Sequence, residues 1–226
     1  MDRTQSTRES YLETLRTARI CFLGAEARVP TEIWYVLHGY RQSARRFLTR
    51  FESIASSDRL LVAPEGLSRF YLTQPDGAHG PSEAVGASWM TRDDREAEVR
   101  DYIRYLNRVA LFAEEGLEEI GRTVLGFSQG AHTATRWAVL GRMRISRLIL
   151  WGAGLPQDLP KDAATRLGGT RVVLVRGAED PHRRSNDERS DEDWLRRNEI
   201  PFRVREHGRG HEIMREVLDE LAAEDT

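Results

Sequence analysis

One cysteine, Cys21, stands in a chain of 226 residues, which excludes an intrachain disulfide and a metal cluster built on cysteines. Its setting, ARICFLG, reads as an apolar strand holding a buried structural thiol. No apolar run approaches the length of a membrane span, and the N-terminal MDRTQSTRESYLETLR lacks the continuous apolar segment of a signal peptide. The expectation is a soluble, cytoplasmic protein with no integral membrane association. An excess of charge is missing as well: 34 basic and 36 acidic residues leave a formal net charge of -2, too balanced for nucleic acid or an anionic membrane as the main partner. The arginine-rich stretches at 41–50 and 183–184 read as solvated faces. No repeat, low-complexity tract or linker divides the chain, so residues 1–226 are read as one domain.

Short apolar runs alternate with longer amphipathic segments, the pattern of strands feeding crossover helices in a largely parallel sheet. Seven strands are expected, at residues 19–23, 33–37, 59–63, 123–127, 147–151, 171–176 and 202–206. Their near-continuous hydrophobicity suits a sheet covered by helices on both faces. Helical spacing of apolar residues predicts helices over 43–55, 91–107, 129–140 and 212–222. Thr91 and Asp94 suggest a capping box, and Gly141 closes the third helix. Residues 66–90 form one long irregular segment, rich in glycine and proline, whose aromatics argue for its being ordered against the body.

The chemistry-bearing motif is GFSQG, Gly126 to Gly130, at the junction of an expected strand and helix. A serine there passes through a sharp, strained turn, and side chains two residues before or after it would collide with the neighbouring chain. Such an elbow lifts the Ser128 hydroxyl above the sheet at the positive end of a helix. A serine nucleophile also needs a base, an orienting acid and two amide donors for the oxyanion. The segment YVLHGY offers the Tyr40 amide as one donor, and Gln129, directly after the serine, offers the other. VVLVRGAEDPH delivers Asp180 after a strong strand, with Glu179 and Asp187 as rivals. FRVREHGRGHEI delivers His211 on a glycine-flanked loop at a helix entrance, preferred as base to His207, His38 and His132. His132, four residues into the helix that follows Ser128, is expected to serve packing or the helix surface. The histidines and acids do not fall at metal-ligand spacings, and no cofactor or metal is expected.

Taken together, LHGY at 37–40, GFSQG at 126–130, GAEDP at 177–181 and GRGHEI at 208–213 resemble the α/β-hydrolase fold. Within it they resemble the phospholipase/carboxylesterase group of serine esterases that includes the acyl-protein thioesterases. The order Ser, Asp, His is that of the fold. APEGLSRFYL and VGASWMTRDDRE look closer still to a bacterial branch of small esterases. The resemblance implies Ser128 as nucleophile, His211 as base, Asp180 as orienting acid, and Tyr40 and Gln129 as oxyanion donors. Ala131 and Arg176 depart from the thioesterase pattern of glycine and histidine at those places.

The expectation is therefore a serine hydrolase cleaving short- to medium-chain carboxylic esters or thioesters, with a small molecule as substrate. The oligomeric state, a homodimer included, is open. The alternatives are a non-catalytic ligand-binding member of the fold, an acyl-protein thioesterase or lysophospholipase, and an amidase. With no long insertion between 151 and 171 there is little material for a large lid. The pocket wall is assigned to Phe70, Tyr71, Trp89 and Met90 with Trp151 and Leu155, against the alternative that these aromatics are core.

Overall fold

The computed structural model describes residues 8–25, 29–73, 80, 82–117 and 120–224. Seven strands form one sheet: β1 (Ile20–Leu23), β2 (Glu32–Leu37), β3 (Arg59–Pro64), β6 (Gly121–Phe127), β7 (Arg147–Trp151), β8 (Arg171–Gly177) and β9 (Phe202–His207), in the order β1-β3-β2-β6-β7-β8-β9. All neighbours run parallel except β1, which pairs antiparallel with β3 at the edge. This is the α/β-hydrolase fold expected from the sequence. On that edge strand Cys21 is only half-buried, a correction to the expected buried thiol.

Alternation along the strands divides the core into two layers, because successive side chains of a strand leave opposite faces. Ile33, Tyr35, Leu37, Val124, Leu148, Leu150, Val172 and Leu174 pack on one face. They meet α2 (Arg95–Ala113), α3 (Gln129–Leu140), α4 (Ala163–Arg166) and α5 (Ser185–Arg197). Trp34, Val36, Leu125, Phe127, Ile149, Trp151, Val173 and Val175 pack on the other. There they meet α1 (Ala44–Leu48), the 3-10 segment Thr49–Ile54 and α6 (Arg215–Ala223). Two arginines flank the Trp34 ring, with the guanidinium carbons of Arg59 and Arg147 at 5.1 and 4.7 Å from its centroid. They also donate to the carbonyls of Ala222 and Leu221, at 2.8 Å each. Cations thus occupy the carbonyl-rich end of α6 and tie it beneath the sheet.

Three sequence expectations change. The segment 66–90 carries a hairpin, β4 (Ser68–Tyr71) paired antiparallel with β5 (Val85–Ser88), although residues 74–79 and 81 lie outside the described part. Its strands are too short and too mixed in polarity to be picked out by pattern. Thr91 does not form a box with Asp94; its amide and hydroxyl both reach Glu98, at 2.5 and 3.1 Å. The helix α5 was not anticipated, because of its thirteen residues only Leu195 is buried. Among the described residues no helix is long and apolar enough to cross a membrane.

The order of strands positions the functional end. From β2 the chain moves outward to β3, and from β6 it moves the other way through β7 to β9, so the direction of winding reverses between β2 and β6. The crevice beyond the carboxyl ends of strands at such a switch is where this class of sheet binds ligands. The loops carrying Tyr40 and Ser128 leave β2 and β6 there. Leu218 of α6 is fully buried in the core layer beneath the sheet. Leu218→Ala should cost about 2–5 kcal/mol of stability, read as a lower urea midpoint with an unchanged slope.

Candidate active site

Ser128 sits between β6 and α3 with φ 55° and ψ -118°, a conformation that costs of order 1–3 kcal/mol for a residue with a Cβ. Its amide donates to the carbonyl of Trp151 at 2.8 Å, which fixes the turn to the end of β7. The flanking glycines are obligatory by contact rather than by flexibility. A Cβ on Gly126 would lie 2.2 Å from the Gly130 carbonyl oxygen, and one on Gly130 would lie 2.2 Å from that of Leu37 and 2.6 Å from that of His38. The turn therefore packs without clearance against the end of β2.

The loop after β2 is held from several sides. His38 is fully buried; its Nε2 accepts from the Gly66 amide at 2.9 Å, so the proton sits on Nδ1, which donates to the Gly39 carbonyl at 2.8 Å. Its ring stacks on Trp89 at 5.0 Å, and Trp89 Nε1 donates to the His38 carbonyl at 2.8 Å. Burial lowers the His38 pKa and keeps the ring neutral. The Gly39 amide donates to Gln42 Oε1 at 2.8 Å, and Arg41 and Gln42 bond to Ala87 of β5. A Cβ on Gly39 would stand 3.3 Å from Ser128 Cβ, so the Gly39–Tyr40 peptide borders the serine. Gln129 is the first residue of α3, where an amide has no acceptor within the helix. Its side chain is spent elsewhere: Oε1 accepts from the Trp89 amide at 3.1 Å and Nε2 donates to the Met90 carbonyl at 2.8 Å.

His211 and Asp180 are joined by the 2.6 Å contact between Nδ1 and Oδ2. A carboxylate only accepts, so Nδ1 carries the proton and Nε2 is left as an acceptor. The other Asp180 oxygen accepts from the His182 amide at 2.8 Å, and the Asp180 side chain is only 5% exposed. The two loops lock together at Gly177, where a Cβ would fall 2.3 Å from the Gly210 carbonyl oxygen. The ring of His211 lies against Phe127 at 4.7 Å and His182 at 4.8 Å. Below it is Gly152, φ 68°, whose Cβ would come 2.9 Å from His211 Cε1. Trp151 Nε1 donates to the Glu212 carbonyl at 2.8 Å and pins the residue after the histidine. Of the rivals, Glu179 is exposed, Asp187 lies at the cavity rim in the first turn of α5, and His207 is buried with Nδ1 accepting from the Arg209 amide at 3.3 Å.

Ser128, Asp180 and His211 line one cavity of about 700 Å³. Its walls differ from those expected. Leu155 contributes, but Trp89 and Trp151 are 2% and 1% exposed and serve the core as struts. Phe70 packs on the ring of Tyr40 at 5.4 Å, Tyr71 is exposed on the hairpin, and Met90 is half-buried against the core; none of the three borders this cavity. The reason is the direction of the hairpin, whose aromatics flank the β2 loop rather than the opening over β7 and β8. In their place stand the loop at 152–157 and α5, with Asp191 over Gly154. Burial pushes the Asp191 carboxyl up to about 6, against the Leu155 amide that donates to it. His132 also borders the cavity, one turn along α3, and its pKa is lowered to about 4 by burial and then by Arg136. The glycine after a strand at Gly152 was a readable signal; the wall made by α5 was not. Among the described residues no cluster of three His, Cys, Asp or Glu side chains could hold a metal ion.

Neither a protein-family model nor a curated protein matches the chain. Solved structures do. Acyl-protein thioesterase 2 of Zea mays is 16% identical, with a TM-score of 0.68 over 92% of this chain and 97% of that one. A carboxylesterase from Mesorhizobium loti is 21% identical, with a TM-score of 0.70 over 91% and 93%. Esterase PE8 is 20% identical, with a TM-score of 0.68 over 92% and 97%. At these identities the likeness establishes the shared fold.

Two outcomes follow from the site's framework. His132 should keep a neutral ring from pH 9 down to pH 5 and titrate near 4, as followed by its imidazole resonances in NMR; a midpoint near the usual value of about 6.5 contradicts the buried, cation-flanked setting. His38→Ala should leave the Gly66 amide unpaired and destabilise the protein by roughly 1–3 kcal/mol or more in urea unfolding.

Proposed function

We propose that the protein is a serine hydrolase of carboxylic esters or thioesters. The observation that carries this reading is the Asp180–His211 bond beside a serine held at positive φ, all three bordering one cavity. The names of the similar structures, esterases and an acyl-protein thioesterase, agree with the reaction class.

In the proposed reaction Ser128 Oγ attacks the ester carbonyl carbon while His211 Nε2 takes the hydroxyl proton. Asp180 stays ionised, keeps the proton of the neutral ring on Nδ1 and stabilises the imidazolium. The amides of Tyr40 and Gln129 receive the oxygen that becomes negative; both belong to backbone that is fixed before substrate arrives, so no reorganisation accompanies the charge. The tetrahedral intermediate collapses, the carbon–oxygen or carbon–sulfur bond breaks, and His211 returns the proton to the leaving alcohol or thiol. Water then attacks the acyl-enzyme, giving its proton to His211, and release of the acid restores the serine. No step requires a cofactor.

The acyl or alcohol portion lies along the wall formed by Leu155 and α5. Small-molecule esters suit a cavity of this volume.

Ser128→Ala should lower kcat for aryl ester hydrolysis by on the order of 10^6-fold, and Asp180→Asn by on the order of 10^4-fold, with unchanged circular dichroism. A fluorophosphonate should label Ser128 of the wild type and nothing in Ser128→Ala; an unlabelled wild type would favour a non-catalytic binding protein. Leu155→Trp should reduce kcat/KM for the longest accepted acyl chain by at least about tenfold relative to acetate. Trp89→Ala should leave the chain-length profile in place while lowering stability, because that ring borders His38 rather than the cavity.

A further inference from the structure

One wall of the cavity carries a surplus of positive charge that the hydrolysis of a neutral ester does not need. His132 and Arg136, four residues apart, occupy one face of α3, roughly 6 Å apart along its axis, and Ser128 stands at the entrance of that helix beside the same cavity. The Arg136 side chain is 6% exposed and gives Nε and Nη2 to Asp158, the shortest contact being 2.7 Å. Arg95, the first residue of α2, gives Nη1 to the other oxygen of the same carboxylate at 2.6 Å. Two guanidinium groups thus share one carboxylate. Although partial burial opposes it, their hydrogen bonds hold the Asp158 carboxyl well below its usual range, so the shared charge is fully ionised at neutral pH.

At this wall two guanidinium groups contact one carboxylate, with Glu96 acting on Arg95 only as the weakest of its electrostatic neighbours. Arg95 is the accessible half, its side chain 36% exposed, with Nη1 its nearest nitrogen to Asp158. Beside it the His132 ring is neutral and carries a donor and an acceptor with no partner among the described residues. The opposite wall has no such excess. There Arg176 pairs with Glu188 and Glu192, Arg183 pairs with Glu188 and Glu206, Asp191 holds the Leu155 amide, and Asp187 and Arg184 sit exposed at the rim, so the arginines are matched by carboxylates.

We propose that Arg95, fixed by the Asp158–Arg136 pair, forms an anion subsite with His132. The substrate is then an ester or thioester bearing a single carboxylate, as in a hemiester of a dicarboxylic acid or an ester of a hydroxycarboxylic acid. This rests on the reading of Ser128 as nucleophile. With one turn of α3 between His132 and the serine, and helical side chains leaning toward the N-terminus, the carboxylate stands roughly 6–9 Å from the reacting carbonyl. A partly exposed guanidinium on the cavity wall offers a carboxylate the paired geometry it prefers.

The test compares kcat/KM within matched pairs. On the acyl side these are mono-4-nitrophenyl glutarate and adipate against the 4-nitrophenyl esters of neutral acids of equal length. On the alcohol side the pair is 3-acetoxybenzoate against its methyl ester. The wild type should prefer the anionic member of at least one pair by about tenfold or more, and the preference should shrink with added salt, since Arg95 is partly exposed. Arg95→Gln should bring that ratio to about one, and Arg95→Lys should keep part of it. A ratio near one in the wild type for every pair, or a ratio unmoved in Arg95→Gln, overturns the subsite. Calorimetric binding of monomethyl adipate and dimethyl adipate to the Ser128→Ala protein separates this from failure of the catalytic reading. Tighter binding of the monoanion, weakened about tenfold by Arg95→Gln, supports the subsite even when the wild type cleaves no ester; equal binding of the two overturns it.

Discussion

The first turn of α3 lies so close to the end of β2 that no Cβ fits between them. Gly130 rests on the carbonyl oxygens of Leu37 and His38, and Gly126 rests on the carbonyl of Gly130. This backbone-on-backbone contact forces Ser128 into positive φ and brings the loop of β2 alongside it. Every other part of the candidate site is arranged around that contact. The strain at Ser128 is tolerated because neighbouring atoms leave no lower-energy path for the chain, which is how a packed interior stores local cost.

Around this point the molecule uses rigid supports of different kinds. The β2 loop is braced by a buried neutral histidine stacked on a tryptophan, with its hydrogen bonds closed on both ring nitrogens. The Asp180 and His211 loops are braced by each other through Gly177, and α6, which follows the histidine, is tied under the sheet by Arg59 and Arg147. In the proposed acyl transfer this matters because preorganised donors act without rearrangement as charge develops. A site held by the ends of several strands also leaves its outer wall free to vary. In the proposed reaction, that wall, the loop at 152–157 and α5, together with the α3 side of the cavity, meets the parts of the substrate that do not react.

Electrostatics divide the cavity in two. Along α5, arginines and carboxylates neutralise each other, whereas along α3 two arginines share Asp158. His132 belongs to the second group. Four residues after the serine, it reads from the sequence as a packing or surface residue rather than the base, and it borders the cavity with its pKa lowered by burial and then by Arg136.

The sequence by itself determined the sheet and the three positions that the structure gathers at one cavity. Strand after strand was legible because residues covered on both faces must be apolar almost without interruption. Ser128 and Asp180 were legible because each follows such a strand beside a glycine that close backbone packing requires, and His211 because it follows the last strand on a glycine-flanked loop. Only the tertiary structure decided which groups surround them. Whether Trp89 and Trp151 are wall or core depends on which way a hairpin and a strand end face, and a large aromatic ring satisfies either setting equally. The helix α5 escaped notice because it buries little more than Leu195, so its periodicity is nearly empty of apolar residues. The pairing of Arg95 with Arg136 through Asp158 joins three segments far apart in the chain. No local pattern encodes such a contact, since it arises when packing brings separately solvated charges to one cavity wall.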